Sequence, residues 1–296
     1  MKTIHANNYK FHYIEEGKGN PVIFIHGSIS DHRTWENQLP VFSKKFKVIS
    51  YSRRYHFPNQ QPESNYEYSV NQHVEDLVSI IQSLNLKNVN IIGSSYGAYI
   101  GLVTAIKHPD LIKTLVLGEP PIISLIIKNP DNPLHILSLF IRDFATGKSF
   151  LKFGMKAMKP AQKELKKGNM KEGVRLFANG VLGDGGYGKL PKDVKGAIME
   201  NSKALKAELL GEGFPEFDKK AAENLGVPTL LLKGEKSQRF FGGITDKLFE
   251  LLPKKDLIVI PESGHDIHSD NPEVYNKTVL EFLLKHNISE KAGSVH

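Results

Sequence analysis

The sequence predicts an α/β fold: a parallel β-sheet flanked by helices, with a helical segment inserted late in the order of strands. Three observations carry this prediction. Short apolar runs of the kind buried on both faces of a parallel sheet alternate with amphipathic helical patterns through the first 119 residues. The alternation breaks at Pro120-Pro121 and resumes at Val227. Between those points no convincing strand occurs, and lysine-rich, glycine-punctuated helical spacing prevails. The chain therefore divides into a core of residues 1–119 and 227–296 and a helical cap, or lid, of residues 120–226.

Lys10 to Ile14 alternates as a strand, Glu16 to Pro21 is a turn, and Val22-Ile23-Phe24-Ile25 is a buried strand. The spacing predicts a helix over Asp31 to Phe42 with Asp31 as N-cap, a strand at Phe46 to Ser50, and a helix from Val70 to Leu84. Val89 to Ile92 is a strand, and Ser95 to Lys107 a helix that stops at His108-Pro109. Thr114 to Leu117 is a strand. In the cap, Leu134 to Phe144 and Lys192 to Leu210 have helical spacing. Beyond it come a strand at Val227 to Leu232, a helix near Phe241 to Leu252, a strand at Leu257 to Ile260 and a closing helix from Glu273 to His286.

Composition bounds the chemistry. Of 296 residues, 40% are hydrophobic and 24% charged, which supports a packed core. Cysteine is absent, which excludes disulfides, thiolate metal sites and a cysteine nucleophile. No signal-peptide pattern opens the chain and no apolar run approaches the ~20 residues of a membrane span, so a soluble, cytoplasmic protein is expected. The net charge is +7, and residues 121–226 hold 18 basic against 12 acidic side chains. Without a recognised binding motif, this excess does not indicate nucleic acid.

Gly93-Ser94-Ser95-Tyr96-Gly97 follows a buried strand directly and opens a helix, the context a G-x-S-x-G nucleophile elbow requires. The sharp turn strains its central residue, and glycines two before and two after let strand and helix approach. Ser95 is the candidate nucleophile. His26-Gly27-Ser28 ends an earlier strand, and the backbone N–H groups of Ser28 and Tyr96 are the candidate oxyanion donors. The His26 side chain is read as shaping a turn. Ser263-Gly264-His265 follows the last strand, which nominates His265 as general base. His268 lies three residues on, but no distal ligand set supports a metal site, and no cofactor is expected.

The order of His26-Gly27, Gly93-x-Ser95-x-Gly97, an inserted helical segment and Gly264-His265 resembles the α/β-hydrolase superfamily over essentially the whole chain. The resemblance implies an eight-stranded, mostly parallel sheet with Ser, acid and His on loops at its carboxyl edge. In most members the acid follows the strand matching Thr229 to Leu232 in a G-x-x-D pattern, but this sequence reads Gly234-Glu235-Lys236-Ser237. Serine cannot stabilise an imidazolium as a carboxylate does. Certain haloalkane dehalogenases and the zearalenone lactonases place a glutamate after the strand that follows the elbow helix, and Leu117-Gly118-Glu119-Pro120-Pro121 is similar. Glu119 is therefore the expected acid, with Glu235, Asp266 and Glu262 as alternatives.

A serine nucleophile points to acyl transfer rather than to dehalogenation or epoxide opening, which need a carboxylate there. The sequence reads as a serine esterase or lactonase acting on a small or medium, apolar small-molecule substrate through an acyl-enzyme. Carbon–carbon hydrolysis or perhydrolysis on the same residues, or a ligand receptor on a hydrolase fold, are the alternatives. Pro121 to Ile127 and Leu134 to Phe140 either line the cleft or pack the cap onto the core. The lysines of Lys148 to Lys171 are read as a solvated face rather than a membrane-binding one. Arg53-Arg54 could meet a substrate carboxylate or lie at the surface. Oligomeric state is not legible.

Overall fold

The structure, a computed structural model, describes residues 1–62 and 68–288. Eight strands form one sheet in the order β1-β2-β4-β3-β5-β6-β7-β8. They are β1 Lys2–Ala6, β2 Tyr9–Glu16, β3 Pro21–Ile25, β4 Lys47–Tyr51, β5 Val89–Ser94, β6 Ile112–Gly118, β7 Thr229–Gly234 and β8 Lys255–Ile260. The first two strands pair antiparallel with each other, and β2 with β4; the other pairings are parallel. This is the eight-stranded, mostly parallel α/β-hydrolase sheet.

The continuous apolar runs are explained by packing on both faces. Ile23, Ile25, Ile91, Leu115 and Leu117 face one hydrophobic cluster, whereas Val22, Phe24, Ile92, Val116 and Leu230 face another. Helices α1 (Val70–Ser83) and α2 (Tyr96–Lys107) contribute to the first cluster. The closing helix Pro272–Ile288 covers the second through Tyr275, Val279, Phe282 and Leu283.

Local chemistry corrects several boundaries. β1 was not anticipated; Asn7 and Asn8, both at positive φ (45° and 54°), make the two-residue turn that folds it back on β2. The helix expected over Asp31 to Phe42 is a 3-10 turn, His32–Trp35, followed by a one-turn helix, Leu39–Phe42. Pro40 accounts for the break, because it lacks the N–H that a continuous helix would use there.

Between β6 and β7 the described elements are helical. The helix expected over Lys192 to Leu210 is two, Lys192–Glu200 and α3 (Ser202–Leu210), divided at Asn201. The Asn201 amide accepts from the Phe57 N–H at 2.8 Å and donates to Asp31 at 2.8 Å, tying the segment to core loops. Likewise Leu134 to Phe144 stops at Arg142, because Asp143 caps the next helix by accepting from the Thr146 N–H. Ile122, Leu125, Ile126 and Ile127 join the core cluster, so that stretch packs against the core. Lys148, Lys152, Lys156, Lys159, Lys163, Lys166, Lys167 and Lys171 are all exposed, forming a solvated face. Among the described residues, no helix is long and apolar enough to cross a membrane.

Candidate active site

Six consecutive parallel strands end on one edge of the sheet, and their loops carry every candidate side chain. The register places Ser94 beside Gly118 and Gly118 beside Leu232, so Ser95 and Glu119 leave neighbouring strands side by side. Both take left-handed backbone, φ 51° at Ser95 and 43° at Glu119. Such conformations cost about 1–3 kcal/mol each for residues with a Cβ and persist where the surroundings impose them. At Ser95 the cause is close packing. A Cβ on Gly97 would lie 2.2 Å from the Ile25 carbonyl oxygen, and one on Gly93 would lie 2.6 Å from the Ala98 Cα. Only glycine at both positions lets β5 turn straight into α2 beside β3.

His265 comes from the loop after β8, whose Gly264 N–H donates to the Asp270 carboxylate at 2.8 Å. Its Nε2 lies 2.9 Å from Ser95 Oγ and its Nδ1 2.6 Å from Glu119 Oε2. With a carboxylate at Nδ1, that nitrogen carries the proton and Nε2 is free to accept from the serine. Phe241, on helix α4 (Arg239–Leu251), stacks on the imidazole with centroids 3.8 Å apart. The ring is thus held in its plane from one face and at both nitrogens.

Glu119 is fully buried and its carboxylate is satisfied from three directions. The Gly234 N–H donates to Oε1 at 3.1 Å, while Ser237 Oγ donates to Oε2 at 2.6 Å beside the imidazole. The serine at the position where the resembled family usually has its acid therefore donates to Glu119, the carboxylate that meets the His265 ring. The alternatives lie elsewhere: Glu235 accepts from the Glu262 N–H at 2.9 Å, Glu262 pairs with Lys236, and Asp266 lies 3.3 Å from His268 Nδ1.

On the other side of Ser95, a Cβ on Gly27 would come within 3.3 Å of the Ser95 Cβ, so the loop after β3 runs directly alongside the serine. Ser28 belongs to this loop, and Tyr96 is the first residue of α2. His26 Nε2 accepts from the Arg53 backbone N–H at 2.9 Å, which leaves its proton on Nδ1, 2.9 Å from the Gly27 oxygen. Burial, together with the Arg53 charge, drives the His26 pKa well below its ordinary value, so the ring is neutral and shapes the turn. Arg53 and Arg54 are both buried, which rules out the surface role. Tyr68 and Glu208, which the sequence did not single out, meet Arg53 here. Among the described residues no group of three or more His, Asp and Glu side chains could hold a metal ion.

A family model for the α/β-hydrolase fold matches residues 20–272. The chain belongs to the α/β-hydrolase family. Among relatives, this hydrolase is 23% identical over 271 residues to the 2-(acetamidomethylene)succinate hydrolase of Mesorhizobium japonicum, covering 91% of this chain and 90% of the relative. Its structure resembles carboxylesterase CesB from Bacillus subtilis with a TM-score of 0.71 at 18% identity, covering 95% and 90% of the two chains. It also resembles a meta-cleavage product hydrolase from Pseudomonas fluorescens, with a TM-score of 0.62 at 20% identity and coverage of 96% and 98%. At these identities the structural likeness establishes the shared fold.

Proposed function

We propose that this α/β hydrolase is a serine hydrolase that cleaves a small or medium carboxylic ester or lactone through an acyl-enzyme. The observation that carries the reading is the unbroken contact from Ser95 Oγ to His265 Nε2 at 2.9 Å and from Nδ1 to Glu119 at 2.6 Å. In this reading Ser95 Oγ attacks the carbonyl carbon as its proton passes to Nε2. Glu119 holds the imidazole tautomer and stabilises the imidazolium, and the N–H groups of Ser28 and Tyr96 receive the tetrahedral oxyanion. The imidazolium then protonates the leaving alcohol, and water activated by His265 releases the acid. The helical segment 120–226 acts as a cap, since Asn201 and Glu208 reach the loops at this edge.

Carbon–carbon bond hydrolysis on the same residues is the second reading. It is favoured by the likeness to a meta-cleavage product hydrolase. One experiment tests what both readings share: intact mass after exposure to a fluorophosphonate. A single adduct on the wild type that is lost in Ser95→Ala is expected, and an unlabelled, folded wild type would overturn the reading. Profiling unlabelled wild-type enzyme with esters, lactones and vinylogous diketones then separates the two.

A further inference from the structure

Adjacent arginines after β4 are neutralised in opposite ways. Arg54 forms a two-pronged pair with Asp76 of α1, Nε to Oδ2 at 2.9 Å and Nη2 to Oδ1 at 2.6 Å, and donates to the Asn7 carbonyl oxygen. Its counter-charge is part of the core. Arg53 is completely buried, yet among the described residues the core gives it only neutral partners: the Tyr68 hydroxyl at 2.8 Å, the Gly27 carbonyl oxygen at 2.7 Å and His73 Nε2 at 3.4 Å. Its guanidinium lies 4.7 Å over the ring of Tyr96, and among the described residues its Nε has no hydrogen-bond partner. The carboxylate that meets it belongs to Glu208 on α3, in the helical segment, at 3.4 Å.

Glu208 is held as a ligand would be. Ser28 Oγ donates to Oε1, and the Tyr68 hydroxyl donates to Oε2 at 3.0 Å beside the Arg53 Nη2. These donors lie beside the reactive serine: Ser28 follows the glycine that touches Ser95, and Tyr96 follows Ser95 itself. A buried cation beside the nucleophile, whose only carboxylate among the described residues is supplied by the cap, needs another anion whenever that carboxylate withdraws.

We propose that Arg53, Ser28 and Tyr68 form a carboxylate subsite of the substrate pocket, occupied in this structure by Glu208, and that the substrate is an ester or lactone bearing a free carboxylate. Exchange of one carboxylate for another keeps Arg53 neutralised and couples substrate entry to release of α3. The proposal rests on the serine-hydrolase reading and deepens it, adding an anionic group a few carbons from the scissile carbonyl of an otherwise apolar substrate.

The probe is monomethyl glutarate, measured by calorimetry on Ser95→Ala so that no turnover intervenes. Ser95→Ala is expected to bind it, and adding Glu208→Gln is expected to tighten binding about tenfold by removing the competing charge. Adding Ser28→Ala is expected to weaken it about tenfold, the scale of one hydrogen bond to a charged group. In the Glu208→Gln background, Arg53→Gln is expected to abolish binding, with Arg53→Lys as the variant that keeps a buried cation if the glutamine protein does not fold. A parallel comparison on active enzyme reads the preference for the 4-nitrophenyl hemiester of glutaric acid over 4-nitrophenyl valerate, which Glu208→Gln should raise. Absence of binding in both Ser95→Ala and its Glu208→Gln derivative, or an affinity indifferent to Glu208→Gln and Ser28→Ala, overturns the subsite. Fluorophosphonate labelling of the wild type keeps the two ideas apart: binding without labelling overturns the hydrolase reading alone, and labelling without these binding changes overturns the subsite alone.

Discussion

The two sides of Ser95 are built on different terms. Toward β6, β7 and β8, Glu119 is satisfied entirely from the core: the Gly234 N–H ends β7, and the Ser237 hydroxyl and the His265 ring sit on the loops that follow β7 and β8. Toward β3 and β4, Arg53 lies among His26, His56, His73 and Tyr68, and its carboxylate comes from the helical segment. The first side is a fixed frame whose geometry follows from sheet register. The second depends on where a separate block of helices rests, and a contact that can be exchanged is useful where a substrate must enter.

This contrast can be broken most directly at Glu119. In the proposed mechanism Glu119→Gln removes the charge that stabilises the imidazolium, so kcat should fall about 10³–10⁴-fold with little change in KM. Glu235→Gln should stay close to wild type. Steady-state kinetics on both variants checks this, and full activity in Glu119→Gln would show that the frame lacks catalytic purpose.

Next in size is a pH effect that is strongest on the Arg53 side, where three buried histidines lie, although burial also lowers the pKa of His268 and of His32. His26, His56 and His73 are buried beside that cation, and desolvation first and the Arg53 charge second hold their pKa values well below the ordinary range. The unfolded chain takes up protons on these rings as pH falls through about 6.5 while the folded one does not, so stability is full above that pH and lost below it. Between pH 7 and 5.5 the loss should reach about 1.3 kcal/mol per ring, about 4 kcal/mol in all. Urea midpoints at the two pH values measure it. An unchanged midpoint would mean that the rings accept protons in the fold.

Ser237 offers a smaller and sharper test of the other side. Ser237→Ala should lower kcat about tenfold, the scale of one hydrogen bond to a charged group. Glu119→Ala combined with Ser237→Asp should recover part of the activity lost in Glu119→Ala, because the Ser237 hydroxyl already reaches the carboxylate oxygen that faces His265. Smallest of all, Phe241→Leu should cost the enzyme only a few-fold in kcat/KM, about 0.5–1.5 kcal/mol for a lost ring stack. Assay with one neutral ester suffices for both comparisons.

The sequence by itself determined the strand-and-helix alternation, the place of the helical segment and the elbow around Ser95, since each rests on local physics. Hydrophobic period reports burial, Pro120 and Pro121 interrupt a pattern, and glycines at 93 and 97 permit one sharp turn. It also placed His265 and Glu119 at strand ends. Local reading failed where a side chain spends its hydrogen bonds far along the chain. Asn201 divides a helix because it serves Phe57 and Asp31, about 144 and 170 residues away. Glu119, rather than Glu235, meets the histidine because β6 lies beside β5 and brings residues 119 and 265 together across 146 positions. The partners of Arg53 were equally hidden: a buried arginine and an exposed one are spelled alike, and Glu208 reaches it from a helix 155 residues later. Only the tertiary structure decides such pairings, because hydrogen bonds and charge contacts act over a few ångströms in space and leave no period in the sequence.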